Sequence, residues 1–294
     1  MDRKRSLRMF PNLNTGAIGV RASLAETLEY ARQHGFKGVD FSITEAAELA
    51  QAHGVAYVRD LFDAAGVQPG SWGLPVDYRQ DAATWRAGLE QLPALANLAQ
   101  ELGCLRTATW ILPCDDERDF QANFHFHLER LRPIAQILSE YGCRFGLEFI
   151  GPKTLRRSRK YGFIHTLEGM RALAAAIGTG NVGLLLDIWH LYTSHGTLDD
   201  VRELTNDDVV VVHVNDAPAG IPVDEQVDNV RALPGETGVL DIVGFLQTLQ
   251  AIGYDGPVTA EPFSQRLREM PPDQAVQETA TAMQQVWQAA GLSW

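Results

Sequence analysis

Short runs of apolar and β-branched residues alternate along this chain with longer stretches in which apolar residues recur at three- and four-residue spacing. The short runs fit strands buried on both faces, and the longer ones fit amphipathic helices. The pattern predicts strands at 8–13, 38–41, 68–72, 105–111, 144–149, 182–188, 209–214 and 257–261, with helices such as 24–34, 81–102, 120–141, 167–177, 239–252 and 274–290 between them. Thr166 and Asp199 are predicted helix N-caps. Gly35, Gly103, Gly142, Gly178, Gly253 and Gly291 stand where a left-handed glycine would stop a helix, and all but the last shortly precede a predicted strand. Eight strand and helix alternations with no Pro/Gly/Ser-rich linker imply α/β class and one closed parallel (β/α)8 barrel over 1–294. The competing architecture is an open doubly wound sheet, but no strand is followed by GxGxxG or GxxxxGK[ST], the first turn such nucleotide-binding sheets use.

Composition narrows the partners. The length of 294 residues suits one barrel, which typically takes about 250 residues, and 45% apolar with 21% charged residues describes a globular chain. A formal charge of −12 repels phosphate backbones and anionic lipid, so no nucleic acid or membrane partner is expected. Arg3, Lys4, Arg5 and Arg8 near the amino terminus are followed by no apolar run, which does not fit a cleaved secretory signal, and a cytoplasmic protein is expected. The richest apolar stretch is broken by Asp187 and His190 before it reaches the roughly 18 residues of a membrane span. Cys104, Cys114 and Cys143 form no CxxC pair and read as reduced, buried thiols.

Chemistry in such a barrel gathers at the C-terminal ends of the strands. There, four consecutive apolar runs finish on metal-capable side chains: Glu148, Asp187, His213 and Glu261. Each alone is more often a salt-bridge partner, and His190 alone reads equally well as a satisfied core histidine. Four on adjacent strands are another matter, because bare carboxylates buried together cost several kcal/mol or more each. One divalent cation removes that cost, and three carboxylates with one imidazole suit Mn2+, Mg2+ or Co2+, with Zn2+ possible. Lys153 and Trp110, also at the C-terminal side of their strands, are candidate substrate-binding residues.

The segments GLEFIGP (146–152), LLLDIWH (184–190), VVHVNDAP (211–218), LPGETGVLDIVGFLQTL (233–249) and GYDGPVTAEPF (253–263) resemble the sugar phosphate isomerase/epimerase superfamily, the xylose-isomerase-like TIM barrels. The resemblance implies that Glu148, Asp187, His213 and Glu261 bind one divalent metal, that Glu148 and Glu261 exchange protons with substrate, and that His190 and Arg231 hold its oxygens. Two departures narrow it. Thr154 stands where ketose 3-epimerases of the superfamily carry a second acid, which speaks against that specificity. Asp228-Asn229-Val230-Arg231 lacks the histidine that a three-zinc AP endonuclease needs.

Two loops are longer than the usual 2–6 residues of a βα connection. The 150–165 loop carries Lys153, Arg156, Arg157, Arg159 and Lys160, which form either a lid over an anionic or hydroxyl-rich substrate or, more simply, a solvated loop or subunit contact. The 215–238 loop ends Gly235-Glu236-Thr237-Gly238 before a helix, where anions could bind, although Glu236 argues against phosphate. The sequence thus predicts a metal-dependent isomerase or epimerase of an unphosphorylated sugar or polyol, moving a proton next to a carbonyl through an enediolate. The alternatives are a keto-sugar or keto-inositol dehydratase or lyase, an AP-endonuclease-like enzyme, and a non-catalytic sugar-binding barrel. A homodimer or tetramer is the expected assembly.

Overall fold

The computed structural model describes residues 8–294, so Arg3, Lys4 and Arg5 lie outside it. Eight parallel strands close into one barrel: β1 Phe10–Leu13, β2 Gly38–Phe41, β3 Gln68–Gly73, β4 Arg106–Ile111, β5 Arg144–Phe149, β6 Val182–Asp187, β7 Val209–Val214 and β8 Pro257–Ala260. Each pairs with its sequence neighbour, and β1 returns to β8 with Phe10 opposite Pro257. The closed barrel stands where the alternation of apolar runs predicts it. Its outer layer has eight helices of ten residues or more among the described residues: α1 Leu24–His34, α2 Ile43–His53, α3 Val55–Ala65, α4 Ala82–Glu101, α5 Phe120–Glu140, α6 Leu167–Ile177, α7 Ile242–Ala251 and α8 Pro272–Ala289.

Local chemistry sets these boundaries. Ser23 and Glu26 form a reciprocal capping box at the start of α1, satisfying amide donors that have no partner within the helix. Thr166 caps α6 by accepting from the Gly169 amide, as predicted. Asp199 does not act as a cap. It lies in the first turn of a short helix, Leu198–Arg202, whose cap is Thr197 with Asp200 returning a bond to the Thr197 amide. Helices α2 and α3 lie between the predicted strands at 38–41 and 68–72, beyond the six helices named from the sequence. Their buried faces are thin, only Ile43 and Ala46 on α2 and Val58 and Phe62 on α3, and Gly54 at φ +89° breaks one from the other.

The main core lies between the strands and the helices, while a smaller apolar cluster of Leu185, Val210 and Val211 packs with Ala108. Gly146 lets strands come close there, since a β-carbon at that position would sit 3.1 Å from both the Ala108 Cβ and the Leu185 amide. Cys104, Cys114 and Cys143 are buried free thiols. No helix of the described residues is long and apolar enough to cross a membrane.

Candidate active site

Strand register brings the predicted residues together. Asp187 at the end of β6 lies directly opposite His213 on β7, His213 lies opposite Thr259 on β8, and Glu148 is the fifth residue of β5. Glu261 follows the last residue of β8, its amide bonded to the Val214 carbonyl at 3.0 Å. One ligand atom from each of Glu148, Asp187, His213 and Glu261 lies within 4.8 Å of the others.

The donor set also fits an ion on its own chemistry. Glu148 Oε1 and His213 Nδ1 are buried and each lacks a hydrogen-bond partner, and they face each other across 4.0 Å. Buried polar atoms are rarely left so, and a cation held between three carboxylates and an imidazole would serve both.

Asp187 and one oxygen of Glu261 are held by neighbouring donors. Asp187 Oδ1 accepts from the Trp189 amide at 2.8 Å and from Asn215 Nδ2 at 3.0 Å. Arg231 Nη1 donates to Asp187 Oδ2 at 2.7 Å and to Glu261 Oε2 at 3.0 Å, while Nη2 donates to Asp228 at 3.1 Å. Gly151 donates its amide to His190 Nδ1 at 3.1 Å. A neutral ring can accept at only one of its nitrogens, and Nε2 lies 3.7 Å from Glu148 Oε1 and 3.1 Å from the Arg231 Nη2 donor. The imidazole and the guanidinium therefore converge beside the carboxylates. Gly151 must be glycine for this, because a β-carbon would meet the His190 carbonyl and the Thr193 hydroxyl at 2.4 Å.

Charges in the cluster diverge with their surroundings. Burial, reinforced by Glu261, drives the Glu148 carboxyl well above its usual range. Burial likewise raises Asp187 against the pull of Arg231. Burial would also raise Glu261, but His213 and Arg231 beside it hold it below the ordinary carboxylate value. Burial works to depress His213, yet Glu261, Glu148 and Asp187 outweigh it and lift the ring to about 10. His190 is pushed well down by burial and by Arg231.

Lys153 and Trp110 do not join this convergence. Lys153 pairs with Asp224, which also bonds His195 at 2.9 Å. Trp110 is 43% exposed, with the Arg79 guanidinium 3.8 Å over its ring. The basic 150–165 loop spends much of its charge locally. Lys153–Arg156 is a helical turn, Arg156 contacts His165 and Arg159 approaches Asp116. The predicted anion position before α7 is already filled, since Asp216 accepts from the amides of Thr237, Gly238 and Leu240 at 2.8–3.1 Å. Sequence reasoning missed Asn215, which orients Asp187, and Asp40 on β2, which forms a second polar centre with Asn12 and Ser71. Asp40 follows Val39 near the end of its strand, the same signal that marks the other four residues.

The fold and this centre define a (β/α)8 barrel with a carboxylate and imidazole cluster at its mouth. The chain belongs to the xylose isomerase-like TIM barrel family, whose model matches residues 28–286. Among curated relatives, a 3-dehydroshikimate dehydratase of Pseudomonas aeruginosa is 31% identical over 109 residues, 37% of this chain and 17% of that protein. An inosose isomerase of Bacillus subtilis is 24% identical over 114 residues, 39% of this chain and 40% of that protein. The matched segments thus span less than half of either relative. Among solved structures, a xylose isomerase domain protein from Alicyclobacillus acidocaldarius is 31% identical with a TM-score of 0.84, covering 96% of this chain and 99% of that one. The IolI protein with a bound zinc atom superimposes at a TM-score of 0.77 and 18% identity, covering 96% of this chain and 98% of that one, a likeness of fold.

Proposed function

We propose that this protein is a divalent-metal-dependent isomerase or epimerase of a sugar or polyol, moving a proton at a carbon next to a carbonyl. The observation that carries this reading is the convergence of Glu148, Asp187, His213 and Glu261 ligand atoms within 4.8 Å. Those four residues would hold the ion, which when bound polarises a carbonyl and stabilises the oxyanion that develops on it. Glu148 and Glu261 reach the site from β5 and from the end of β8, so one takes the proton and the other returns it. The His190 ring and the Arg231 guanidinium orient substrate oxygens. The similarity to an inosose isomerase supports this reading.

The test is a screen of ketoses, aldoses and keto-inositols with added Mn2+, Mg2+, Co2+ or Zn2+, read by NMR in deuterated water. Deuterium should enter a carbon next to a carbonyl, and Glu148→Gln should slow this by about 10²–10⁴-fold. If metal-loaded wild-type protein incorporates no deuterium anywhere in the panel, the reading fails. The dehydratase match favours elimination as the second reading, and loss of water with a new chromophore in the same screen would select it.

A further inference from the structure

A cavity of about 580 Å³ runs from the segment after β1 and the ends of β2 and β3 across Ala108, Leu185 and Val211 to His213, so it adjoins the metal-capable cluster. Asp40 is its centre. Its Oδ1 is saturated, accepting from Asn12 Nδ2 at 2.8 Å and from the amide and hydroxyl of Ser71 at 3.0 and 2.7 Å. Its Oδ2 has only long contacts, Asn14 Nδ2 at 3.3 Å and the Thr259 hydroxyl at 3.5 Å. A carboxyl oxygen has room for closer partners than these, and burial raises this carboxyl above its usual range against the pull of Ser71 and His213. Asp40 retains some exposed surface, and its position on the cavity wall gives that surface a direction.

We propose that Asp40 is a substrate-orienting residue whose Oδ2 accepts a hydroxyl of a polyol lying between this cavity and the metal-capable cluster, and that this end of the substrate carries no phosphate. The inference rests on the reading of the site given above and extends it to substrate class. Oδ1, anchored three times, fixes the carboxylate plane, so Oδ2 is presented without cost in side-chain freedom. Charge on the wall explains the selectivity. Asp40 and Glu45 both line the cavity, and Glu45 is fastened by the Leu24 amide at 2.8 Å, while Arg21 is the arginine on the same wall and is exposed to solvent. A phosphate dianion would face the Glu45 carboxylate and the acceptor oxygens of Asp40, whereas a hydroxyl would find an acceptor.

The experiment measures binding by saturation-transfer NMR, with and without Mn2+, using D-fructose and myo-inositol as neutral probes and D-fructose 6-phosphate as the charged one. Wild-type protein should bind a neutral probe and bind fructose 6-phosphate more weakly than fructose. Asp40→Asn should weaken neutral binding at least tenfold and narrow the gap to the phosphate ester, with Mn2+ affinity kept within twofold. Gly73→Leu supplies an arm that does not disturb the Asp40 network, because a β-carbon at Gly73, on the same cavity wall, meets nothing within 4 Å. It should reduce neutral binding by a similar factor. Wild-type affinity in both variants, tighter binding of fructose 6-phosphate than of fructose, or no neutral binding to wild-type protein would each overturn the inference. Failure of the catalytic reading shows separately, as absent deuterium exchange, while this binding pattern stands or falls on its own.

Discussion

Arg231 touches three carboxylates at once, those of Asp187, Glu261 and Asp228, and only 1% of its side chain is exposed. Removing one member of a buried ion pair costs about 3–5 kcal/mol, because the partner charge is left uncompensated. In metal-free protein, Arg231→Met should therefore lower the melting temperature by about 10 °C, and saturating Mn2+ should recover most of that loss. A metal-free variant that melts with wild type would show that Arg231 does not neutralise the cluster. Gly70 makes a different demand. A β-carbon there would lie 2.1 Å from Asn12 Oδ1, and Asn12 is buried with its Nδ2 committed to Asp40 and Thr259. Gly70→Ala should cost about 1–3 kcal/mol in denaturant unfolding, and an unchanged midpoint would mean that Asn12 yields easily. Glu148, Asp187, His213 and Glu261 were legible in the sequence because each closes an apolar run. Arg231 was not, since nothing local distinguishes it from a surface arginine, and only family resemblance pointed to it.

At the scale of elements, Asp216 is the anchor of the long loop after β7. Its carboxylate takes three backbone amides from 237–240, and its backbone pairs with Ala232 in both directions. Asp216→Ala leaves those amides without a partner, at about 1–3 kcal/mol for each buried donor that stays unsatisfied. Because Arg231 belongs to the same loop, the change should reach the site. Hydrogen exchange at 237–240 should rise at least tenfold, and protection identical to wild type would remove Asp216 from this role. The sequence suggested an external anion for these amides; the chain supplies its own, brought from 21 and more residues away, which no local pattern reveals. The strands and the long helices were readable because their apolar spacing is sustained. The α2 and α3 pair was harder to read as two helices, because their residues run on with only Gly54 between them.

Across the whole molecule, acid stability depends in part on His127, far in sequence from the cluster. Burial depresses this ring to about 4, helped by Arg118 and Arg79 and opposed by its Nδ1 bond to the Asn123 carbonyl and by Asp115. It lies stacked on Phe163 with Tyr78 at its edge. A folded value below the unfolded 6.5 means the unfolded chain binds more protons between those limits. Its contribution is complete above pH 6.5 and is lost as pH falls toward 4, about 3 kcal/mol at most. Urea midpoints at pH 7, 5.5 and 4.5 should fall accordingly, with a shallower decline in His127→Gln. Equal slopes would assign acid sensitivity to other groups. Global order was the most legible level of all: eight alternations without a linker already implied a closed barrel, whereas a contact such as that of His127 with Phe163 depends on packing between distant segments.

A barrel that supplies its own positive charge at Arg231 need not wait for an ion in order to mature. Metal-free protein should therefore fold, and its circular dichroism after chelation should match that of protein with added Mn2+. Were an ion bound at the proposed site, the one recovered from purified material would record the growth medium as much as the preference of the residues.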